Sequence, residues 1–217
     1  MLILALALTT ITLTADRDAT LVEQPDGTLA NGSGPVLFAG RNNLSTDGVR
    51  RALIRFDLSG LAPRENPLVA SSAAVVLANT TESNVEPREY RLHRVLADWS
   101  EGPSASSGGG GAPSVTGDAT WIHASYPHVF WMHSGGQFEG TPSARLEVAG
   151  PGVYRFDGEG LLRDLQLWYR HPELNFGWVL IGDETTRQNS RAFGSRENSD
   201  PALRPALELT YPRRETP

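Results

Sequence analysis

The sequence predicts an all-β fold, an antiparallel β-sandwich of jelly-roll type with one short helix, and three observations carry that prediction. The first is a period of two. Ile11, Leu13 and Ala15 alternate with Thr10, Thr12 and Thr14; Ile54, Phe56 and Leu58 alternate with Leu53, Arg55 and Asp57; Leu207, Leu209 and Tyr211 alternate with Glu208 and Thr210. Successive side chains leave opposite faces of a strand, so this alternation marks strands with one face against a core. The second is punctuation by turn formers: Pro25-Asp26-Gly27, Asn31-Gly32, Asp47-Gly48, Pro151-Gly152 and Asp157-Gly158. Short strands separated by such signals suit a sandwich. The third is the scarcity of helical periodicity, which appears clearly only over Gly160 to His171.

Taken in chain order, the first segment is Met1 to Leu8, MLILALAL, an apolar run too short to span a bilayer. Residues 1–10 fit a signal segment, complete or truncated, with Ala5 and Ala7 as small residues near a cleavage point. The basic start usual in such signals is missing, and the run also fits the beginning of the first strand. Residues 11–212 form one expected domain and 213–217 a tail, since a chain of 217 residues can bury one substantial core. Ser100 to Asp118 breaks the rhythm: it is nearly free of apolar side chains and contains four consecutive glycines, Gly108 to Gly111. A stretch like this is expected as a flexible surface insertion, or else as a lid or wall over a site at Trp99, Glu101 and Trp121. In the helix, Leu161, Leu165 and Trp168 recur at helical spacing until Pro172 ends it, and it is expected to cap one end of the sandwich.

Composition excludes several functions. The net charge is −6 and no stripe of Lys or Arg appears, so the footprint of a nucleic-acid-binding protein is missing. There is no cysteine, which removes thiol catalysis and thiolate metal sites. No stretch is long and apolar enough for a membrane-spanning helix. The catalytic signatures G-x-S-x-G, H-E-x-x-H and S-x-x-K are absent, and the glycine run lacks the lysine of a phosphate loop.

Three blocks stand out when read together. They are RRALIRFDLSGL at Arg50 to Leu61, HRVLADWSEG at His93 to Gly102 answered by GDATWIH at Gly117 to His123, and NFGWVLIGDE followed by FGSRENSDPALRPALELTY in the C-terminal third. Their order resembles the DNRLRE-domain proteins, a bacterial family of exported β jelly-rolls related to carbohydrate-binding modules. The resemblance runs from about Thr12 to Tyr211, although the hexapeptide of the name is not present and Arg196-Glu197 is the nearest piece. It implies a jelly-roll fold, a secreted, extracellular or periplasmic location and a polysaccharide partner.

Candidate site residues fall into three groups. His93, His123 and Glu101, brought together from neighbouring strands, would make a transition-metal site of two imidazoles and a carboxylate; the alternative is that both histidines serve as structural hydrogen-bonding groups. Trp131 and Tyr126, with His128 beside them among loop-forming residues, are candidates for a sugar-stacking platform, because an aromatic face matches the C–H face of a pyranose. The alternative for Trp131 is burial in the core. Arg196 and Glu197 either tie the closing turn to the sheet or grip a uronic-acid carboxylate. Asp16, Asp18, Asp183 and Glu184 offer oxygen ligands for a structural calcium without a recognisable calcium loop.

The leading expectation is an exported, non-catalytic carbohydrate-binding-like module. A metal-dependent enzyme acting on an extracellular polymer through His93 and His123, and a structural or adhesive surface protein, are the alternatives.

Overall fold

The computed structural model describes residues 8–62, 65–83 and 85–212. Fifteen strands and one α-helix occur among them, all strand pairs are antiparallel, and the expected sandwich with one short helix is present. One layer contains β1 (Leu8–Thr14), β15 (Ala206–Pro212), β6 (Ser72–Asn79), β12 (Gly152–Asp157) and β14 (Arg191–Gly194). The other contains β2 (Arg17–Val22), β5 (Val49–Arg55), β13 (Trp178–Ile181), β7 (Arg88–Arg94) and β11 (Ala144–Val148). β4 (Val36–Arg41) joins them: Val36 to Ala39 pair with β14, then Gly40 and Arg41 pair with β5. The bend needs Gly40, whose φ of 104° is open to glycine and where an added Cβ would lie 2.8 Å from Asn189 Oδ1. The first residues of the expected signal segment lie outside the described part, but Leu8 to Thr10 already belong to β1, in register with Thr210 to Pro212.

Between the layers lies the principal core. Ala52 and Ile54 of β5, Tyr90 and Leu92 of β7, Trp178 and Leu180 of β13, and Leu207 and Leu209 of β15 all point into it. The helix α1 (Glu159–Arg170) closes one end, as its spacing predicts, burying Leu161, Leu165 and Trp168. Trp168 packs on Trp178 with ring centroids 4.5 Å apart, and Trp178 donates its indole N–H to Asp164 at 2.8 Å. Burial pushes the Asp164 carboxyl above its usual pKa, against its bonds from Ser143 and Trp178 and the charge of Arg94.

A second core lies on the opposite face of the β2–β5–β13–β7 layer. Ala19, Leu21, Leu53, Val179 and Ile181 point outward there and are covered by Val95, Trp99, Ala119, Ala124 and Trp131 from the long β7–β11 connection. This explains why β13 is buried at every position and why Leu53, read as the solvent side of an alternating strand, is fully buried.

The expected flexible insertion at Ser100–Asp118 is instead a pinned wall of this outer layer. Ser104 accepts hydrogen bonds at its carbonyl from the amides of Gly32 and Ser33, at 2.8 and 2.9 Å. The fully buried Asp118 carboxylate accepts the Ser104 amide at 3.1 Å and the Val115 amide at 2.6 Å. Asn31 accepts the Ser106 amide at 2.8 Å, Arg50 reaches the Gly109 carbonyl, and β8 (Ala112–Pro113) pairs with β3 (Leu29–Ala30). Glycines supply the tight turns, while buried polar side chains replace the apolar contacts that the segment lacks.

Candidate functional site

The outer layer carries a small hairpin made of β9 (His123–Ser125) and β10 (Val129–Phe130). Its base is fixed from inside. Trp131 is only 6 % exposed, packs in the second core and donates its indole N–H to the Thr120 carbonyl at 3.0 Å. The Thr120 hydroxyl accepts the His123 amide at 3.0 Å and meets His123 Nδ1 at 2.9 Å. Because neighbouring side chains point to opposite sides, burying Trp131 turns the residues that flank it outward: Phe130 is 61 % exposed and Met132 72 %. Val129, 54 % exposed, faces out as well because the register shifts between it and Phe130. Phe130 packs at a tilt against the His123 imidazole, with ring centroids 4.4 Å apart, and stays largely exposed to solvent. His128 and His133 are exposed beside it, and Tyr126, half-buried, packs edge-on against His123 at 5.1 Å.

The expected platform residue is therefore corrected. Trp131 is an anchor, since its large apolar surface finds a preformed pocket under the hairpin, and Phe130 is the ring on display. Tyr126 and His128 lie at the same hairpin, as the sequence suggests. Phe130 was legible in principle, because it alternates with Trp131, but the choice between them needed the second core.

A polar groove opens on the same side of the second sheet, lined by Arg88, Glu89, Arg91, Asp183, Glu184 and Thr185. Arg51 links it to the hairpin's base. Its guanidinium donates to both Glu184 oxygens at 2.7 and 2.9 Å and to the Gly135 carbonyl at 2.7 Å, and it lies 4.9 Å from the centre of the Trp121 ring. Arg88 and Arg91 are held less firmly, with ion-pair separations of 3.9 Å to Asp183 and 3.7 Å to Glu89, and the Nε atom of each lacks a hydrogen-bond partner.

The proposed trio of His93, His123 and Glu101 is not assembled. His93 Nδ1 donates to the Glu139 carbonyl at 2.9 Å, and its ring packs edge-on against Phe138. His123 is enclosed by Thr120, Tyr126 and Phe130. Burial depresses the pKa of both imidazoles, and for His93 the charges of Arg91, Arg51 and Arg145 act in the same direction. Glu101 belongs elsewhere. Among the described residues, the one group of three carboxylate or imidazole side chains whose ligand atoms lie within 4.8 Å of one another is Asp18, Glu101 and Glu197.

That cluster sits at the edge of the sandwich where β2, the start of the Ser100–Asp118 wall and the β14–β15 connection meet. Arg196 donates to Glu101 through Nε at 2.7 Å and NH2 at 2.6 Å, and its Nε lies 2.9 Å from Glu197. Asp18 donates its amide to Glu101 at 2.8 Å and accepts the Arg196 amide at 2.7 Å. Glu101 raises the Arg196 pKa, so the guanidinium stays charged. Arg196 thus ties the loops together through Nε and NH2, the structural one of the two roles expected for it. Of the four acidic residues considered for calcium, only Asp18 joins the cluster. Asp16 pairs with Arg55, Asp183 accepts the amides of Thr185 and Thr186 at 2.9 and 3.0 Å, and Glu184 holds Arg51. Each member of the cluster was noticeable in the sequence, but positions separated by some eighty to one hundred and eighty residues give no local spacing to unite them.

No family model matches the chain, and no curated protein matches it. Among the described residues, no helix is long and apolar enough to cross a membrane.

Proposed function

We propose that the protein is an exported, non-catalytic module of the DNRLRE type that binds an extracellular polysaccharide through the β9–β10 hairpin and the groove beside it. The observation that carries this reading is the outward display of Phe130, Val129 and Met132 on a hairpin whose base is locked by Trp131. Large apolar side chains held rigidly in water are costly unless they serve a contact. An exposed ring held against His123 offers a preorganised apolar surface for the C–H face of a sugar, and ordering it on binding loses little entropy. The groove supplies both donors and acceptors, in Arg88, Arg91, Glu89 and Thr185, for hydroxyl groups of neighbouring residues of a chain. The histidines that favoured a metal-dependent enzyme have structural partners instead, so that alternative loses its support.

Affinity electrophoresis tests the reading. Migration of the purified protein through gels containing a neutral β-glucan, alginate or another soluble extracellular polysaccharide is expected to be retarded in at least one of them. Unretarded migration of folded protein in every gel would reject polysaccharide binding and leave the adhesive surface protein as the better reading.

A further inference from the structure

The cluster of Asp18, Glu101 and Glu197 has a feature that its salt bridges do not account for. Asp18 is fully buried and Glu197 half-buried, yet Asp18 Oδ1 and Glu197 Oε2 have no hydrogen-bond partner. Arg196 is the cation these three carboxylates share, and its donors go to Glu101 and to the other oxygen of Glu197. Three carboxylates against one guanidinium leave two negative charges in excess when all are ionised. Buried carboxylate oxygens are normally paired, bonded to water or coordinated, because removing a charge from water without a partner is expensive.

We infer that the space between Asp18, Glu101 and Glu197 is a site for one calcium ion, held chiefly by Asp18 Oδ1 and Glu197 Oε2 with a Glu101 oxygen completing the set. Two elementary charges on the ion cancel the excess, with Arg196 left in place. The donors are carboxylate oxygens only, which suits a hard cation and disfavours zinc or copper, whose sites draw on imidazole or thiolate. Calcium is preferred to magnesium because three carboxylates from separate chain segments make an irregular cage, and calcium tolerates irregular, many-oxygen coordination where magnesium demands a near-ideal octahedron. Burial and the neighbouring carboxylates raise the Asp18 pKa, and burial raises that of Glu197, the mark of groups short of positive charge. The ion would join β2, the Glu101 end of the wall and the β14–β15 connection, acting as a staple for the outer layer. This assignment stands apart from the polysaccharide reading and survives if that reading fails.

Equilibrium dialysis of the full-length chain, freed of metal with a chelator and then titrated with calcium chloride, tests it. One saturable calcium per chain is expected, with a dissociation constant of about 10⁻³ M or tighter, the range of extracellular calcium modules. Magnesium at the same concentration and ionic strength should bind far more weakly, and calcium should raise the melting temperature. Asp18→Asn and Glu197→Gln are each expected to lose the saturable site, whereas Asp157→Asn, on the exposed face of β12, should keep it. If Asp18→Asn does not fold, Glu197→Gln decides alone, since its carboxyl is less buried. No saturable calcium on the folded wild-type chain would overturn the inference. Saturable binding that persists in both variants would also overturn it, by placing the ion elsewhere.

Discussion

The core between the two sheets and the core beneath the Val95–Phe138 layer share β5 and β13, yet they are built by different means. The inner core is filled by alternate residues of regular strands and by one helix, with Trp178 in contact with both Trp168 and Phe56. The outer core is filled from a connection with almost no regular structure, and it depends on a few anchors, Trp99 and Trp131, and on buried polar groups such as Asp118 and Ser104. In the inner core the backbone satisfies its own hydrogen bonds through the sheets. In the outer layer, short backbone pairings are supplemented by side chains such as Asp118, Asn31 and Thr120 that accept backbone amides. The comparison teaches that a tryptophan in a loop-like sequence can be a fastener, and that the surface available for contact is then formed by what the fastener turns outward.

Substitutions can break this comparison in order of effect. Trp178→Ala should be the most damaging, destabilising the protein by about 3–5 kcal/mol in denaturant unfolding, because it opens a large cavity and removes the indole donor from buried Asp164. Trp131→Ala should cost ~3 kcal/mol, the lower end of the same range. Its signature should be local: hydrogen exchange should accelerate over the Ser100–Glu139 layer before the inner strands lose protection. If both variants unprotect the whole chain equally, the two cores are one cooperative unit and the distinction fails.

The inner core was legible in the sequence and the outer one was not, for a physical reason. Alternation at Ile54 or Leu207 reports one buried face directly, and the spacing of Leu161, Leu165 and Trp168 reports the buried side of α1. The expected helix, Gly160 to His171, differs by a single residue at each end from Glu159–Arg170. Leu53, Val179 and Ile181 carried a signal too, since apolar residues on both faces of a strand imply a layer on each side. The wall at Ser100–Asp118 could not be read because its order comes from Asp118, Asn31 and Arg50, whose partners are fixed only by the tertiary fold. The same holds for the Asp18–Glu101–Glu197 cluster. His93 and His123 misled for the complementary reason: the sequence places two imidazoles near one another in chain order but does not say that Glu139 and Thr120 occupy them.

A gentler probe of the outer layer is pH. Burial lowers the His93 pKa, so the unfolded chain takes up a proton more readily than the folded one. Stability is then fully present above the ordinary histidine pKa of about 6.5 and falls as pH drops below it, until the depressed folded-state pKa is passed. His93→Gln should flatten the dependence of melting temperature on pH in that window, and His123, shifted in the same direction, should leave a residual slope. A profile unchanged by the substitution would mean that His93 does not titrate with folding.

The most direct test of the account sets Phe130→Ala beside Trp131→Ala, measuring retention on a polysaccharide that retards the wild-type protein together with denaturant unfolding. Phe130 is exposed, so its loss should change stability by no more than ~0.5 kcal/mol. Binding should nonetheless weaken by about 1–3 kcal/mol, roughly five- to over a hundredfold, as for a central aromatic contact. Trp131→Ala should instead destabilise first and bind poorly only because the hairpin has lost its base. Wild-type retention by Phe130→Ala would contradict the account, because the hairpin would then display its apolar face for something other than the polysaccharide.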